Sequence, residues 1–475
     1  MGSLEIMDMQ TKKACHPVLT DPGRYFIDMP SQHQFNVHRD LFRDAELFDL
    51  EMKHVFEASW VYLCHESQLP NVHDYYTTHL GRTPVVVMRG EDGSLRGFVN
   101  ACSHRGTRLY TARQGNAQVQ MCPYHAWCFD STGRCVKIKD QAQAGYATAF
   151  NSENHDLAPL GRLASYKGFV FGALSADVPT LEDYLGDTRF FIDTFSDQSA
   201  QGMEILPGGV SYIFHANWKF QVENLMDLYH LTTVHSLFAK IVQKRGERDS
   251  KSSGSDKVKA VNIGGLASHE MGTWTFPHGH TVFWGYDPQR ENRALWSMRG
   301  DLLKQGLDAH KVDWMFRPRT VGTFPNIQFV DSACMQLRVI RPLSVDRTEM
   351  TMFCLAPRGE PAAARHRRLR QYEDFFNASG IATPDDVACY EEIQVGGVSA
   401  ANSEWIQGFA RGMEKVVAGP DTTANEIGIR PLESCSGFEI QDETVLRGFY
   451  REWLRRMQVA CASTTLTQAS PGVQV

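Results

Sequence analysis

The sequence contains no apolar run that approaches the roughly 18–20 residues needed to span a membrane as a helix. It has no excess of positive charge either, because 48 lysines and arginines stand against 55 aspartates and glutamates and give a net charge of −7. Residues 1–30 include Lys12 and Lys13 without an apolar stretch behind them, so they do not resemble a signal peptide. We therefore expect a cytoplasmic protein that binds neither nucleic acid nor a membrane.

The cysteines do not have the pattern of a disulfide framework. There are 11 of them, an odd number, and they are scattered over the chain. Hydrophobic residues make up 42% of the sequence and charged residues 22%, which is ordinary for a globular protein. A chain of 475 residues is too long for one compact core, so we expect at least two domains in a reducing compartment.

Two short motifs each combine one cysteine with one histidine. They are Cys102-Ser-His104 and Cys122-Pro-Tyr-His125, with seventeen residues between them. In a Rieske [2Fe–2S] cluster, two thiolates hold one iron and two imidazoles hold the other. Structural zinc is the alternative, but zinc fingers usually pair cysteine with cysteine and histidine with histidine in each half-site. The alternation therefore favours a Rieske cluster.

A second group of candidate metal ligands follows about a hundred residues later, at Asp227, His230 and His235. Two histidines and a carboxylate form the facial triad of non-haem Fe(II) oxygenases, which leaves coordination positions open. On a regular helix, His230 and His235 would be about 140° apart. They can share a metal only if the helix ends or bends between them, and the intervening residues 232–234 are β-branched and poor in the interior of a helix. Asp227 lies on the same helix face as His230 and is a candidate hydrogen-bond partner of that imidazole.

The remaining ligand has to come from elsewhere in the chain, and Thr383-Pro-Asp385-Asp386 is a candidate. This motif is typical of a helix start, with Thr383 as the N-cap and proline in the first turn. Carboxylates at this place also complement the helix dipole, which is a purely structural explanation. Spacing alone does not distinguish Asp385 from Asp386.

The pattern of apolar residues predicts both classes of secondary structure. Short strand-like segments separated by turns dominate residues 60–175, which indicates a small β domain with the Cys/His motifs on loops. Helical periodicity is found over residues 217–234 and 361–378. Residues 335–340 and 349–353 predict an antiparallel hairpin. The expected fold class is therefore α+β.

These motifs resemble those of a known enzyme family. The chain resembles the large (α) subunit of the Rieske non-haem iron aromatic-ring-hydroxylating dioxygenases, and within them it is similar to the benzoate, toluate and anthranilate 1,2-dioxygenases. The similarity extends from about Leu41 to Gly448 and is carried by residues 100–106, 370–380 and 383–386. A bare Rieske electron carrier is much shorter and would leave the second group of ligands unexplained.

The resemblance implies a Rieske β domain inserted before a helix-grip-like catalytic domain, which is an antiparallel sheet flanked by helices. The implied boundaries are residues 1–55 for the N-terminal part of the catalytic domain, 56–178 for the Rieske [2Fe–2S] domain and 179–460 for the catalytic mononuclear iron domain. Residues 461–475 are uncharged and rich in Ser, Thr and Gln, which predicts a disordered tail.

The resemblance also assigns roles to residues. Cys102, His104, Cys122 and His125 would hold the cluster. His230, His235 and Asp386 would hold Fe(II), and Asp386 is preferred because the family's ligand is the second acid of the pair. Asp227 would link the catalytic iron to His125 of the neighbouring subunit's cluster.

The implied reaction is the cis-dihydroxylation of an aromatic ring, expected to be a benzoate-type carboxylate, with O₂. Electrons would come from NADH through a separate reductase that carries FAD, and the assembly would be an α₃β₃ hexamer with a small β subunit. A monooxygenase acting on salicylate or an aromatic amine would have the same ligands and stays an alternative. Leu225, Met226 and Leu228 replace the Gly or Ala usual in similar proteins, which could reshape the pocket. An arginine fork would suit the substrate carboxylate, but nothing in the sequence distinguishes one of the 48 basic residues.

Overall fold

The computed structural model describes residues 16–238 apart from 144, residues 240, 241 and 244, and residues 270–469 apart from 333, 400–402, 439 and 440. Along the chain it contains an N-terminal segment, a domain of small β-sheets and a domain built on one large β-sheet. Within this described part, each helix is too short or too polar to cross a lipid bilayer.

The N-terminal segment consists of short elements: β1 (Phe26–Met29), β2 (Gln34–His38), α1 (Asp40–Arg43) and α2 (Ala45–Glu51). Helix α2 begins where the Asp44 carboxylate accepts hydrogen bonds from the backbone N–H groups of Glu46 and Leu47, donors that a helix start otherwise leaves open. The apolar residues of α2 and of the π-helical turn Met52–Phe56 pack into one hydrophobic cluster with the C-terminal helix. This segment therefore shares its core with the large-sheet domain, although the small β domain separates them in sequence.

The small β domain contains β3 (Val61–His65), β4 (Asp74–Leu80), β5 (Thr83–Arg89), β6 (Leu95–Val99), β7 (Gln114–Asn116), β8 (Val119–Met121), β9 (Cys128–Asp130), β10 (Cys135–Lys137), α3 (Thr148–Ser152), β11 (Arg162–Tyr166) and β12 (Phe169–Ala173). The strands form sheets in the orders β6-β5-β4-β7, β10-β9-β8 and β11-β12-β3. Because β3 pairs with β12, the chain enters and leaves the domain at neighbouring points. The two Cys/His motifs lie on the β6–β7 and β8–β9 connections, so the prediction that they occupy loops is confirmed.

The large-sheet domain contains α4 (Leu181–Leu185), α5 (Arg189–Ser196), β13 (Met203–Ile205), β14 (Val210–Phe214), α6 (Trp218–Asn224), α7 (Leu231–Val234), β15 (Glu270–Thr275), β16 (Thr281–Gly285), α8 (Arg299–Lys304), α9 (Ala309–Met315), β17 (Arg319–Thr323), β18 (Ile327–Asp331), β19 (Met335–Ser344), β20 (Arg347–Pro357), α10 (Ala362–Gln371), α11 (Thr383–Ser399), β21 (Trp405–Ile406), β22 (Val417–Ala418), α12 (Thr422–Glu426), β23 (Glu433–Phe438) and α13 (Leu446–Ala469). Strand β21 pairs with β2 of the N-terminal segment.

One antiparallel sheet organises this domain. Its strand order is β13-β20-β19-β18-β17-β16-β15-β23-β22, and β14 also pairs with β20. The predicted hairpin is confirmed as β19 and β20, in which Gln336 faces Cys354. The two sheet faces pack differently, because Leu337 joins a cluster with aromatic residues of the β domain while Ile340 joins the cluster of the N-terminal segment, α6 and α13. The expected α+β fold, a Rieske-type β domain beside an antiparallel sheet flanked by helices, is confirmed.

The C-terminal helix extends into residues 461–475, for which a disordered tail is expected, and the disorder of this range stays a prediction. Helix α13 continues to Ala469, and residues 470–475 lie outside the described part. The first turns of α13 bury Phe449, Tyr450 and Trp453. Once such a helix is anchored, each further residue adds a hydrogen bond without a new nucleation cost. A composition that would not start a helix is therefore sufficient to extend one.

A buried charge joins three distant segments of the fold. The Glu51 carboxylate accepts hydrogen bonds from Lys219 Nζ at 2.6 Å, from Trp218 Nε1 at 3.0 Å and from Trp453 Nε1 at 2.7 Å. Glu51 and Lys219 are fully buried. A buried ion pair adds little net stability, but removal of one partner leaves an uncompensated charge. Helix α6 is held in place through this network.

We expect the substitution Glu51→Ala to lower the free energy of unfolding by about 3–5 kcal/mol, because it leaves the Lys219 ammonium buried without its carboxylate. The matched control is Asp49→Ala on the same helix, where the side chain is 70% exposed and 3.5 Å from Arg82. That control should cost less than about 1 kcal/mol. Denaturant titration followed by tryptophan fluorescence measures both, and equal midpoints for the two variants would contradict the role of Glu51.

Candidate active site

The two Cys/His loops of the β domain close with the same backbone hydrogen bonds. In the first loop, the N–H of Cys102 donates to the carbonyl of Thr107 at 2.9 Å and the N–H of Gly106 donates to the carbonyl of Cys102 at 2.8 Å. In the second loop, the N–H of Cys122 donates to the carbonyl of Trp127 at 2.7 Å. Two separate loops thus present their cysteines in equivalent local geometry.

A left-handed residue closes each of these loops, four positions after its cysteine. It is Gly106 in the first loop, with φ of 73°, and Ala126 in the second, with φ of 58°. The N–H of Ala126 donates to the carbonyl of Cys122 at 3.0 Å. Only glycine adopts this conformation without strain, so Ala126 is held there by the loop around it.

The loops bury the sulfur atoms and leave the imidazoles near the surface. Cys102 and Cys122 are 3% exposed, whereas His104 and His125 are half-buried with their ring centroids 4.5 Å apart. Burial raises the pKa of the Cys102 thiol, while hydrogen bonds from the backbone N–H groups of His104 and Arg105 lower it. N–H groups that point at sulfur stabilise the thiolate and tune a bound cluster.

The second candidate centre is built where α6 ends. The helix predicted over residues 217–234 is divided into α6, which ends at Asn224, and the four-residue helix α7, which is flanked by His230 and His235. Helix α7 ends at Val234, so the helix does end before His235, but residues 232–234 are themselves helical, contrary to the expectation that they would interrupt the helix. The chain also turns before His230. The two imidazole rings come within 5.2 Å of each other.

Asp386 on α11 completes this group. Its Oδ1 lies 3.2 Å from Nε2 of His235 and 3.6 Å from Nε2 of His230. The three ligand atoms lie within 4.8 Å of one another. Asp386 is 5% exposed and faces the histidines, whereas Asp385 is half-buried and does not join the group. Two neutral nitrogens and one carboxylate around a single point are a donor set that fits Fe(II) and leaves room for further ligands.

The contact with Asp227 determines which nitrogen of His230 faces the other two candidate ligands. Its Oδ2 lies 3.1 Å from Nδ1 of His230, and its Oδ1 accepts a hydrogen bond from the backbone N–H of Tyr229 at 2.6 Å. Burial lowers the pKa of His230, but the hydrogen bond to Asp227 and the charge of Asp386 raise it more, so the pKa lies above its ordinary value. A proton on Nδ1 leaves Nε2 free to bind a metal.

Glu223, an acid close to Asp227, has a raised pKa. Glu223 is hydrogen-bonded to the Tyr450 hydroxyl, and burial, together with the charges of Glu443 and Asp227, raises its pKa to about 8. A raised pKa favours the protonated form of Glu223, which limits the negative charge beside Asp227.

Asn224 belongs to this site, although no sequence motif indicated it. Its side-chain nitrogen lies 3.3 Å from Nε2 of His230 and donates to Oδ1 of Asp386 at 3.2 Å. The amide thereby links two candidate ligands that come from different helices. The only hint in the sequence that Asn224 could belong to the site was its position three residues before Asp227.

Both parts of the chain match known family models. The Rieske [2Fe-2S] domain matches residues 59–166, and the ring hydroxylating alpha subunit (catalytic domain) matches residues 194–459. The chain belongs to the ring-hydroxylating dioxygenase α subunits. Members of this family are terminal oxygenases that cis-dihydroxylate aromatic rings. This α subunit is therefore a Rieske dioxygenase, and its two domains imply a [2Fe–2S] cluster and a mononuclear iron.

The α subunit is similar to characterised enzymes over most of its length. It is 42% identical to toluate 1,2-dioxygenase subunit alpha of Pseudomonas putida, over 89% of this chain and 91% of that protein. It is 38% identical to the 2-halobenzoate 1,2-dioxygenase large subunit of Burkholderia cepacia, over 90% of each. Among solved structures, naphthalene 1,2-dioxygenase from Rhodococcus sp. bound to indole superposes with a TM-score of 0.72 at 26% identity, covering 89% of this chain and 94% of that one. The family predicted from the sequence is confirmed.

We expect Asp386→Ala to lose the mononuclear iron and keep the Rieske absorption, because the cluster and the histidine pair lie on different domains. Iron should fall from about three per α subunit to the two of the cluster. Asp385→Ala is the matched control, since it removes the neighbouring carboxylate and should keep all the iron. Metal analysis and visible spectra of both proteins provide the test. Retention of the third iron in Asp386→Ala would mean that another group is the ligand.

Proposed function

We propose that this α subunit adds both atoms of O₂ to adjacent carbons of an aromatic carboxylate of the benzoate type. The ring, O₂, two electrons and two protons together give the cis-diol, which balances atoms and charge. The observation that supports this most directly is the convergence of His230, His235 and Asp386 in a chain that also carries a Rieske domain. The substrate class is supported by the similarity to the toluate and 2-halobenzoate enzymes.

In this proposal, the mononuclear iron is held by His230, His235 and Asp386. Iron in such a triad keeps coordination positions open on one side and supplies the oxygen chemistry when it is bound. The chain positions the ligands through Asp227, which orients one imidazole, and through Asn224, which donates to the carboxylate. The low exposure of His235 and Asp386 keeps bulk water away from that side of the site.

The cluster would be held by Cys102, His104, Cys122 and His125. Two buried cysteines and two half-buried histidines match a cluster that hides its sulfur side and exposes its imidazole side. An exposed imidazole can donate a hydrogen bond to an acceptor on another subunit. Asp227, whose side chain is 21% exposed, is the acceptor proposed here, so that electrons pass from His125 of one subunit to the centre of the next.

Family members act with a reductase and often with a small subunit. The finer assignment for this α subunit is an NADH-dependent reductase that carries FAD, a small β subunit and an α₃β₃ hexamer in the cytoplasm. A ring of α subunits would bring Asp227 of one copy beside His125 of the next, which a monomer could not do. The assembly is thus part of the proposed route of the electrons.

Asp227→Asn should leave both metal centres in place and slow turnover by about 10- to 100-fold, because the amide is a poorer acceptor and orients His230 less well. The measurement is the rate at which the pre-reduced cluster is oxidised in a single turnover, alongside iron content and the Rieske spectrum. Asp385→Asn makes the same chemical change on a neighbouring acid and should behave as the wild type. A wild-type rate of cluster oxidation in Asp227→Asn would argue against the bridging role.

Product analysis tests the proposed reaction. The anaerobically purified, iron-loaded α/β complex is given reductase, NADH and ¹⁸O₂ with benzoate, halobenzoates, anthranilate or salicylate. The expected product carries two labelled oxygens on adjacent ring carbons. One labelled oxygen would support a monooxygenase instead, and no product from any of these acids, with all iron present, would exclude the proposed substrate class.

A further inference from the structure

One face of β19 presents polar side chains to the helices that carry the candidate iron ligands. Along this strand, Gln336, Arg338 and Ile340 alternate with Leu337 and Val339, so the two sets point to opposite faces. Leu337 packs toward the β domain, while Ile340 packs in the cluster on the other face. Gln336 and Arg338 share the face of Ile340. They are 0% and 1% exposed, which is unusual for such polar groups.

The strand register places Arg338 under helix α6. Its cross-strand partners are Gln328 on β18 and Met352 on β20. The side chain of Gln328 donates to the carbonyl of Gln221 in α6 at 3.1 Å. Met352 packs in the cluster that contains Met226, the residue before Asp227. Arg338 is therefore flanked on both sides by residues that contact the segment bearing the candidate centre.

The charges of Arg338 and of Asp386 both act on Tyr390. It lies on α11, four residues after Asp386, and therefore on the same helix face. Burial raises the pKa of its hydroxyl well above the usual value, the charge of Asp386 raises it further and the charge of Arg338 lowers it. The pKa of Tyr212, raised to about 12 mainly by burial, responds to the same two charges. Arg338 and Asp386 thus both lie close to these tyrosines.

Several buried polar atoms in this region lack a hydrogen-bond partner within the described residues. They are both amide atoms of Gln336 and the hydroxyls of Tyr372 and Tyr390. Buried polar groups in proteins are nearly always hydrogen-bonded, so such a group calls for a ligand or water to complete it. Beside them, the ring of Phe375 lies 5.9 Å from that of His235 and would offer an apolar wall to an aromatic ring.

The other fully or nearly fully buried arginines lie in other parts of the fold. Arg319 is 3.2 Å from Asp331, Arg368 is 2.9 Å from Glu360, and Arg447 is 3.2 Å from Asp28. Their partners belong to β18, to the β20–α10 connection and to β1.

We propose that Arg338 binds the carboxylate of the aromatic acid substrate, with Gln336 beside it as a second hydrogen-bonding group. This inference rests on the proposed function and names the group that selects the substrate. A guanidinium can bind a carboxylate with two parallel hydrogen bonds, which fix the orientation of the attached ring. In a 1,2-dihydroxylation, one of the oxidised carbons bears the carboxylate. The group that binds this carboxylate must therefore lie no farther from the metal than about the width of one aromatic ring. It must also be on the pocket wall that faces the metal.

The test compares a charged ligand with a neutral one of similar shape in the assembled holoenzyme. Dissociation constants are measured anaerobically by calorimetry for benzoate and benzamide, and kcat and KM are measured for both. Arg338→Gln should raise Kd and KM for benzoate by about 100-fold, as expected for loss of a buried charged partner, and change those for benzamide by less than about threefold. Iron content and the Rieske spectrum report on folding.

Two further variants keep the test decisive. Arg338→Lys preserves the charge but not the fork, so it should fold readily and weaken benzoate binding by about tenfold. Arg341→Gln is the matched control on the same strand, where the side chain is 34% exposed and pairs with Glu349 at 3.0 Å. It should bind benzoate as the wild type does.

The outcomes separate this inference from the proposed function. If the wild type oxidises benzoate and both Arg338 variants bind it with unchanged affinity, the role of Arg338 is wrong while the function stands. An equal loss of benzoate and benzamide binding in the Arg338 variants would also overturn the role. If the wild type binds neutral arenes and no benzoates, the substrate class and its proposed receptor are both wrong.

Discussion

The hydrogen bond between Asp227 and Nδ1 of His230 determines the geometry of the candidate iron centre. An imidazole has two nitrogens, and its orientation depends on what the nitrogen remote from the metal contacts. Here that partner is a carboxylate, itself held by the backbone N–H of Tyr229 in the turn before α7. A local turn therefore orients Nε2 of His230 toward Asp386. Helix α11 places the Asp386 carboxylate beside that nitrogen.

Buried charge positions the helix that leads into this turn. Glu51 joins the end of α2, the start of α6 and the C-terminal helix through Lys219 and two tryptophans. Such a network adds little net stability compared with apolar packing, but it tolerates few alternative arrangements because every partner must be present. Helix α6, and with it Asn224, is thus held by residues more than 150 positions away on either side.

Exposure differs between the groups that would exchange electrons and those that would hold the substrate. His104 and His125 are half-buried at the surface of the β domain, and the side chain of Asp227 is 21% exposed. Asp386, Gln336 and Arg338 are at most 5% exposed. Charges in the interior are screened less and act more strongly than charges in water. Selection of an anionic ring and contact with a partner subunit would therefore use different sides of the proposed site.

Spacing along the chain indicated the cluster motifs and the histidine pair, because the candidate ligands in each motif are two to five residues apart and share one loop or turn. The preference for Asp386 over Asp385 came from the resemblance to the dioxygenase family and not from spacing. The sequence did not indicate Asn224, single out Arg338 among 48 basic residues, or predict the helix up to Ala469. These features depend on which face of a helix or strand packs against other elements of the fold. That information arises from packing and strand register, and local propensity does not contain it.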